Sequence, residues 1–151
     1  MKLEHLVTYH ADLKEAVEIG AGPAGQRRIV DVTGGTFEGP KMRGTILPSG
    51  GDWIAMGADG VGRLDVRATF RTDDGAHVYV QYYGNLVLND AANAALASGK
   101  GTDYGDTYFM TAPRFETGDP RYAWLNAVVA VGEGRIVPGG VEYRVYHVVN
   151  G

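Results

Sequence analysis

Cysteine is absent from this chain of 151 residues, which excludes a disulfide framework and any thiolate-held metal, and suits a reducing compartment. Basic residues are in deficit: 14 Lys and Arg stand against 18 Asp and Glu, for a formal net charge of −4. No run of Lys and Arg offers an electrostatic footprint for nucleic acid or for an anionic membrane surface. Long apolar runs are missing as well, since none approaches the ~18 residues of a membrane-crossing helix. The opening Met1-Lys2-Leu3-Glu4-His5 lacks the apolar core of a signal peptide. A soluble, cytoplasmic protein with no nucleic-acid or membrane partner is expected.

Helical periodicity is scarce too. What the chain has in abundance is glycine, 23 residues against a usual share of about 7%, together with short runs of β-branched and aromatic residues between turn signals. These runs predict strands near 2–10, 15–19, 26–33, 41–47, 53–56, 63–72, 77–84, 106–112, 122–132 and 141–149. Residues 1–151 are long enough for one core and short for two. The fold class is therefore all-β: a single antiparallel barrel of about 8–10 strands, lipocalin-like in general shape, whose closure removes exposed sheet edges. The clearest hairpin is 63–84, where Thr72-Asp73-Asp74-Gly75 is expected to form a primed turn. Residues 89–98 alone favour a helix, with Asn89 or Asp90 as N-cap and Gly99 beyond its end. They lie in a connection of about twenty residues, far longer than a hairpin loop, and are expected to form a lid, with residues 89–104 closing over a ligand.

Gly20-Ala21-Gly22-Pro23-Ala24-Gly25 matches the glycine fingerprint of dinucleotide-binding proteins. That fingerprint works only where a helix starts at the glycines and presents its amides to a pyrophosphate. Here an alternating strand-like stretch follows, Gln26-Arg27-Arg28-Ile29-Val30-Asp31-Val32, so a glycine-rich hairpin is expected and no cofactor. His5, His10, His77 and His147 include no pair spaced to share a metal, so no metal is expected. No Gly-x-Ser-x-Gly elbow occurs, and Ser49 and Ser98 sit in turn-like sequence.

Candidate site residues follow from alternation. In 63–71, Leu64, Val66, Ala68 and Phe70 share one face while Asp65 and Arg67 share the other. Either the charged face meets water, or the barrel lumen is wet and Arg67 offers its planar fork to a carboxylate, enol or phenolate. Tyr122, Trp124 and Asn126 would form one wall for a flat ligand. Alternatively, Trp124 fills the core and Asn126 satisfies a neighbouring backbone group. Asp52, emerging with Trp53 from the turn Pro48-Ser49-Gly50-Gly51, has either a raised pKa suited to acid–base work or a turn-capping role. Among the tyrosines, Tyr82 and Tyr108 are the preferred pocket members.

Three strings in order carry a resemblance: Gly34-Gly35-Thr36-Phe37-Glu38-Gly39-Pro40 running on to Gly50-Gly51-Asp52-Trp53; Thr72-Asp73-Asp74-Gly75-Ala76; and Tyr108-Phe109-Met110-Thr111-Ala112-Pro113-Arg114-Phe115-Glu116-Thr117-Gly118 leading to Tyr122-Ala123-Trp124-Leu125-Asn126. They resemble the bacterial and fungal family known as domain of unknown function 3237. The resemblance spans nearly the whole chain and implies a small β-barrel without a generally established activity. It favours a shared pocket for Asp52, Trp53, Arg67, Trp124 and Asn126. Met110 stands where the family pattern has arginine, which puts part of any polar site there in doubt.

The resulting expectation is a small-molecule-binding barrel acting as a cofactor-independent isomerase, cyclase or lyase on a planar oxygenated substrate, aromatic or polyketide-like. Asp52 would move a proton, Arg67 with Asn126 would stabilise an oxyanion, and Trp53, Tyr108 and Trp124 would hold the ring, with Tyr82 a further ligand-binding residue. The alternatives are a carrier or sensor of such a ligand, or a structural barrel. Strand edges and exposed aromatics lead us to expect a homodimer.

Overall fold

The computed structural model describes residues 1–151, and its alternating runs form eleven strands of one antiparallel sheet. They are β1 (Lys2–Leu13), β2 (Val17–Gly22), β3 (Gly25–Glu38), β4 (Arg43–Ile46), β5 (Gly51–Asp52), β6 (Ala55–Met56), β7 (Val61–Thr72), β8 (His77–Val87), β9 (Phe109–Glu116), β10 (Ala130–Val137) and β11 (Gly140–Val149), with the helix α1 (Asp90–Ser98) between β8 and β9. Neighbours run β1-β11-β10-β9-β8-β7-β4-β3. Pairing of β1 with β3, from Thr8↔Glu38 to Leu13↔Val32, closes the circuit. The short segments β4, β5 and β6 each pair with both β3 and β7 and together fill one position. β2 pairs with β3 alone, outside the circuit.

The sheet closes because its strands have one apolar face each. On β9, Phe109, Thr111, Pro113 and Phe115 are buried while the residues between them are exposed, and β7 repeats the pattern with Leu64, Val66, Ala68 and Phe70 inside. One half of the lumen is packed solid. Phe37 stacks on Phe70 at 4.8 Å, and Tyr9 meets Phe70 edge-on at 5.1 Å. Leu125, fully buried, belongs to the same core. It comes from a 3₁₀-helix, Pro120–Ala127, whose Tyr122 hydroxyl is bonded to Asp74 in the β7–β8 turn. The helix α1 lies at the other end of the barrel, following β8.

Several local expectations are corrected. Residues 122–127 are not strand: the Asp119 carboxylate accepts from the Arg121 amide and Pro120 opens the 3₁₀-helix, a capping signal that overrides the alternation. The turn after β7 is not primed. Positive φ is confined to Gly75, at 93°, and no other residue type in the chain adopts it, so the reversal is of the longer kind ending in a left-handed glycine. Of the stretch 53–56 only Ala55-Met56 is strand, as β6, and Trp53-Ile54 separates it from β5 at Gly51–Asp52. The helix does form as expected, with the Asn89 side chain accepting from the Ala92 amide and Gly99 left-handed at φ 70°. The glycine fingerprint is the β2–β3 hairpin, with Pro23-Ala24 at its tip. No helix is long and apolar enough to cross a membrane.

Gly35 sits on the closing seam opposite Ala11 with φ 140°, and a Cβ there would stand 2.0 Å from the His10 carbonyl oxygen. Gly35→Ala is expected to cost about 3 kcal/mol through clash and strain. That corresponds to a loss of roughly 6–12 °C in Tm by circular dichroism. Gly20→Ala, with φ 99° and nothing within 4 Å, should cost only about 1 kcal/mol.

Candidate functional site

The other half of the lumen is hollow. A cavity of about 300 Å³ is walled by Val30, Ile54, Leu64, Val66, Leu86 and Ile136 and roofed by Ala95 and Leu96 of α1. A cavity of about 150 Å³ lined by aliphatic groups holds one benzene, so this one has room for about two rings. The apolar lining is interrupted by a single acid, Asp52, by two phenols, Tyr82 and Tyr143, and by three basic residues, Lys14, Arg28 and Lys100.

Asp52 reaches the lumen because β5 threads between β3 and β7, in register with Val30 and Val66, both of which face inward. Close threading requires glycine beside it: a Cβ on Gly50 would stand 2.2 Å from the Arg67 carbonyl oxygen. One carboxylate oxygen, Oδ1, accepts from the Asp65 amide at 3.0 Å. Burial pushes the Asp52 pKa up to about 6. The Asp65 amide bond opposes that rise, the Asp65 charge adds to it and the Arg27 charge opposes it.

Beneath Asp52 lies a cluster of tyrosines. Tyr143 stands 5.0 Å from Tyr9 and 5.4 Å from Tyr82 between ring centroids, and Phe109 packs edge-on to Tyr143 at 5.2 Å. Burial holds all three phenols protonated by raising their pKa values, and the Asp52 charge adds to the rise at Tyr82 and Tyr143. The Tyr9 hydroxyl feels Tyr82 electrostatically yet makes no hydrogen bond of acceptable geometry with the protein.

Of the residues singled out from sequence, Asp52 and Tyr82 line this cavity, and Arg67, Trp53, Tyr108, Trp124 and Asn126 do not. Arg67 is on the outer face because Val66 takes the inner one, and its guanidinium lies 5.7 Å from the ring of Trp53, which is also outside. Tyr108 precedes the inward Phe109 and is 56% exposed. Trp124 packs against the closed end of the core beneath the Lys41 ammonium. The Asn126 amide accepts from the Thr117 N–H at 2.8 Å and donates to its carbonyl at 3.0 Å, the backbone-satisfying role. Tyr9 and Tyr143 were missed, although Val7-x-Tyr9-x-Ala11 and Val141-x-Tyr143-x-Val145 alternate inward. Met110 is on the outer face, away from the cavity.

The roof is fastened at both ends. Asn89 donates to the Asp106 carbonyl at 2.9 Å. Beyond α1, the Thr102 amide donates to the Ile136 carbonyl at 2.8 Å, and its hydroxyl oxygen accepts from the Ile136 amide at 3.1 Å. Tyr104 lies between the Arg135 and Arg144 guanidiniums, 4.8 and 3.8 Å from its ring, and donates to Glu142.

The family model described as a protein of unknown function, DUF3237, matches residues 1–148. The chain belongs to this family. A UPF0311 protein of Rhodopseudomonas palustris is 38% identical over 121 residues, 80% of this chain and 77% of that protein. Its crystal structure covers 99% of both chains with a TM-score of 0.87. A β-barrel-like protein of Acinetobacter baumannii is 39% identical with a TM-score of 0.83, over 97% of this chain and 94% of its own. A hydroalkoxylation enzyme of Penicillium herquei is 31% identical over 107 residues, 70% of this chain and 56% of that enzyme. This DUF3237 chain therefore shares its barrel with bacterial relatives and part of its sequence with a fungal enzyme.

A carboxyl whose pKa rises from 3.8 unfolded to about 6 folded binds its proton more tightly in the native state, so stability falls as pH rises through that window. Above it the desolvation cost is fully present. Asp52→Asn keeps an oxygen for the Asp65 amide and removes the charge. It should be more stable than the parent by roughly 1–3 kcal/mol at pH 8 and equal to it near pH 3.5 in urea unfolding. No gain at pH 8 would mean that the carboxyl is solvated.

Proposed function

We propose that this protein is a cofactor-independent enzyme that moves a proton within a small, planar, oxygenated substrate, by isomerisation or ring-closing addition, with Asp52 as the acid–base group. The observation that carries the reading is one carboxyl of pKa about 6, the only acid in the lining of a mostly apolar, lidded cavity. Such a group is ionised for the most part at neutral pH and still basic enough to be useful.

In the ring-closing case, the Asp52 carboxylate takes the proton of a substrate hydroxyl, the oxygen bonds to one alkene carbon, and the same proton is delivered to the other. One O–H and one C=C π bond are lost, and one C–O and one C–H bond form. No oxidant or reductant enters. The protonated phenols of Tyr82 and Tyr143, and not Arg67 and Asn126, supply donors for the developing phenolate or enolate. The lid keeps water from competing. Support for addition of O–H across an alkene comes from the Penicillium relative, whose name states hydroalkoxylation. Support for a ligand of one or two rings comes from the cavity volume of about 300 Å³.

The test uses 2-allylphenol as a minimal hydroxyaryl alkene, with the dihydrobenzofuran product followed by chromatography. Product formation should show kcat/KM rising with pH through about 6, the value set by Asp52. Asp52→Asn should lose at least about 100-fold in kcat while still binding the phenol. Arg67→Ala, on the outer face, should stay within about twofold of the parent. Turnover that survives Asp52→Asn would overturn the role given to this residue, and binding without turnover in the parent would favour a carrier.

A further inference from the structure

Apart from Asp52, the charged residues that line the cavity are all basic: Lys14, Arg28 and Lys100. The chain has four lysines. Lys2 pairs with Glu4 at 3.9 Å, and the Lys41 ammonium stands 5.3 Å from the Trp124 ring. Lys14 and Lys100 make neither kind of contact, and these are the two that line the cavity. A third basic group in the lining, Arg28, is already engaged by Glu18 at 2.7 Å. The only acid among the lining residues is Asp52, which lies inside, between β3 and β7. On a chain of net charge −4, two uncommitted ammonium groups at an apolar opening are a local reversal of sign, which attracts anions and orients them as they enter.

The two lysines reach the opening from different parts of the fold. Lys14 follows β1, with its amide bonded to the Asp31 carbonyl on the barrel wall. Lys100 lies just beyond α1, with its amide bonded to the Ser98 hydroxyl. Both side chains are exposed, so their ammonium groups stay hydrated while their stems border the apolar interior.

We infer that the ligand is an amphiphilic acid, with a ring system of about two rings in the cavity and a carboxylate held outside it by Lys14 and Lys100. The inference rests on the reading of the cavity as a ligand site and adds the class of ligand. The orientation follows from cost. A carboxylate carried inward would be desolvated among aliphatic side chains and repelled by Asp52, whereas at the mouth it stays in water beside two cations.

The experiment compares 2-naphthoate with 2-naphthamide, which differ chiefly in charge, by isothermal titration calorimetry. For the unmodified protein, naphthoate should bind about three- to tenfold more tightly than naphthamide. The difference should shrink as salt is raised from about 50 to 500 mM. In the double variant Lys14→Gln/Lys100→Gln, naphthoate should weaken by the same about three- to tenfold factor while naphthamide stays within about twofold. Equal affinities for the two probes, or naphthoate binding indifferent to both lysines, would overturn the anionic ligand class and leave the cavity a ligand site. If neither probe binds, the reading of the cavity falls and this inference with it.

Discussion

The pairing of β1 with the second half of β3 is the constraint on which the rest of the molecule depends, because it converts a twisted sheet into a barrel. The seam runs from Thr8↔Glu38 to Leu13↔Val32 and changes register between Asp12 and Leu13. It admits only glycine at position 35, since any Cβ there meets the His10 carbonyl. Beyond Leu13 the seam ends, and the first half of β3 pairs with β2 instead. The residues of that departure, Leu13, Lys14 and Ala16, line the cavity. The packed end and the hollow end are thus set by where one strand pairing stops.

Within that frame, a single polar group was placed at a cost. An aliphatic residue at position 52 would avoid the desolvation that lifts the Asp52 pKa to about 6, yet the fold holds this carboxyl with a backbone N–H and threads it past glycines that allow close approach. The tyrosines below it are similar in kind: their rings join the aromatic core, and their hydroxyls are kept protonated by burial. The buried carboxyl and the phenols therefore meet at one layer of the barrel, with aromatic packing on one side and open volume on the other.

The architecture was legible in the sequence because turn glycines and period-two alternation both report a closed sheet, and the chain's helical lid carried its own cap and terminator. Asp52 and Tyr82 were legible for the same reason. Arg67, Trp53 and Tyr108 were misplaced because alternation fixes which residues share a face but not which face is the lumen. With Leu64, Val66 and Phe70 inside, Arg67 has only the outer surface. Trp124 and Asn126 failed differently: counting alternate residues presumes a strand, and Asp119-Pro120 begins a 3₁₀-helix there. Tyr9 and Tyr143 lie near opposite ends of the chain and meet as direct partners across β1 and β11, so neither belongs to a local string that would single it out.

The 3₁₀-helix that spoiled the reading of residues 122–127 has a consequence for chemistry. With Leu125 fully buried and aromatic rings packed at that end of the lumen, the space open to a ligand is confined to the cavity under α1. Two partners would have to share about 300 Å³, little more than one bicyclic molecule fills. Such a vessel suits transformations in which a single compound rearranges its own atoms, and disfavours those that join two.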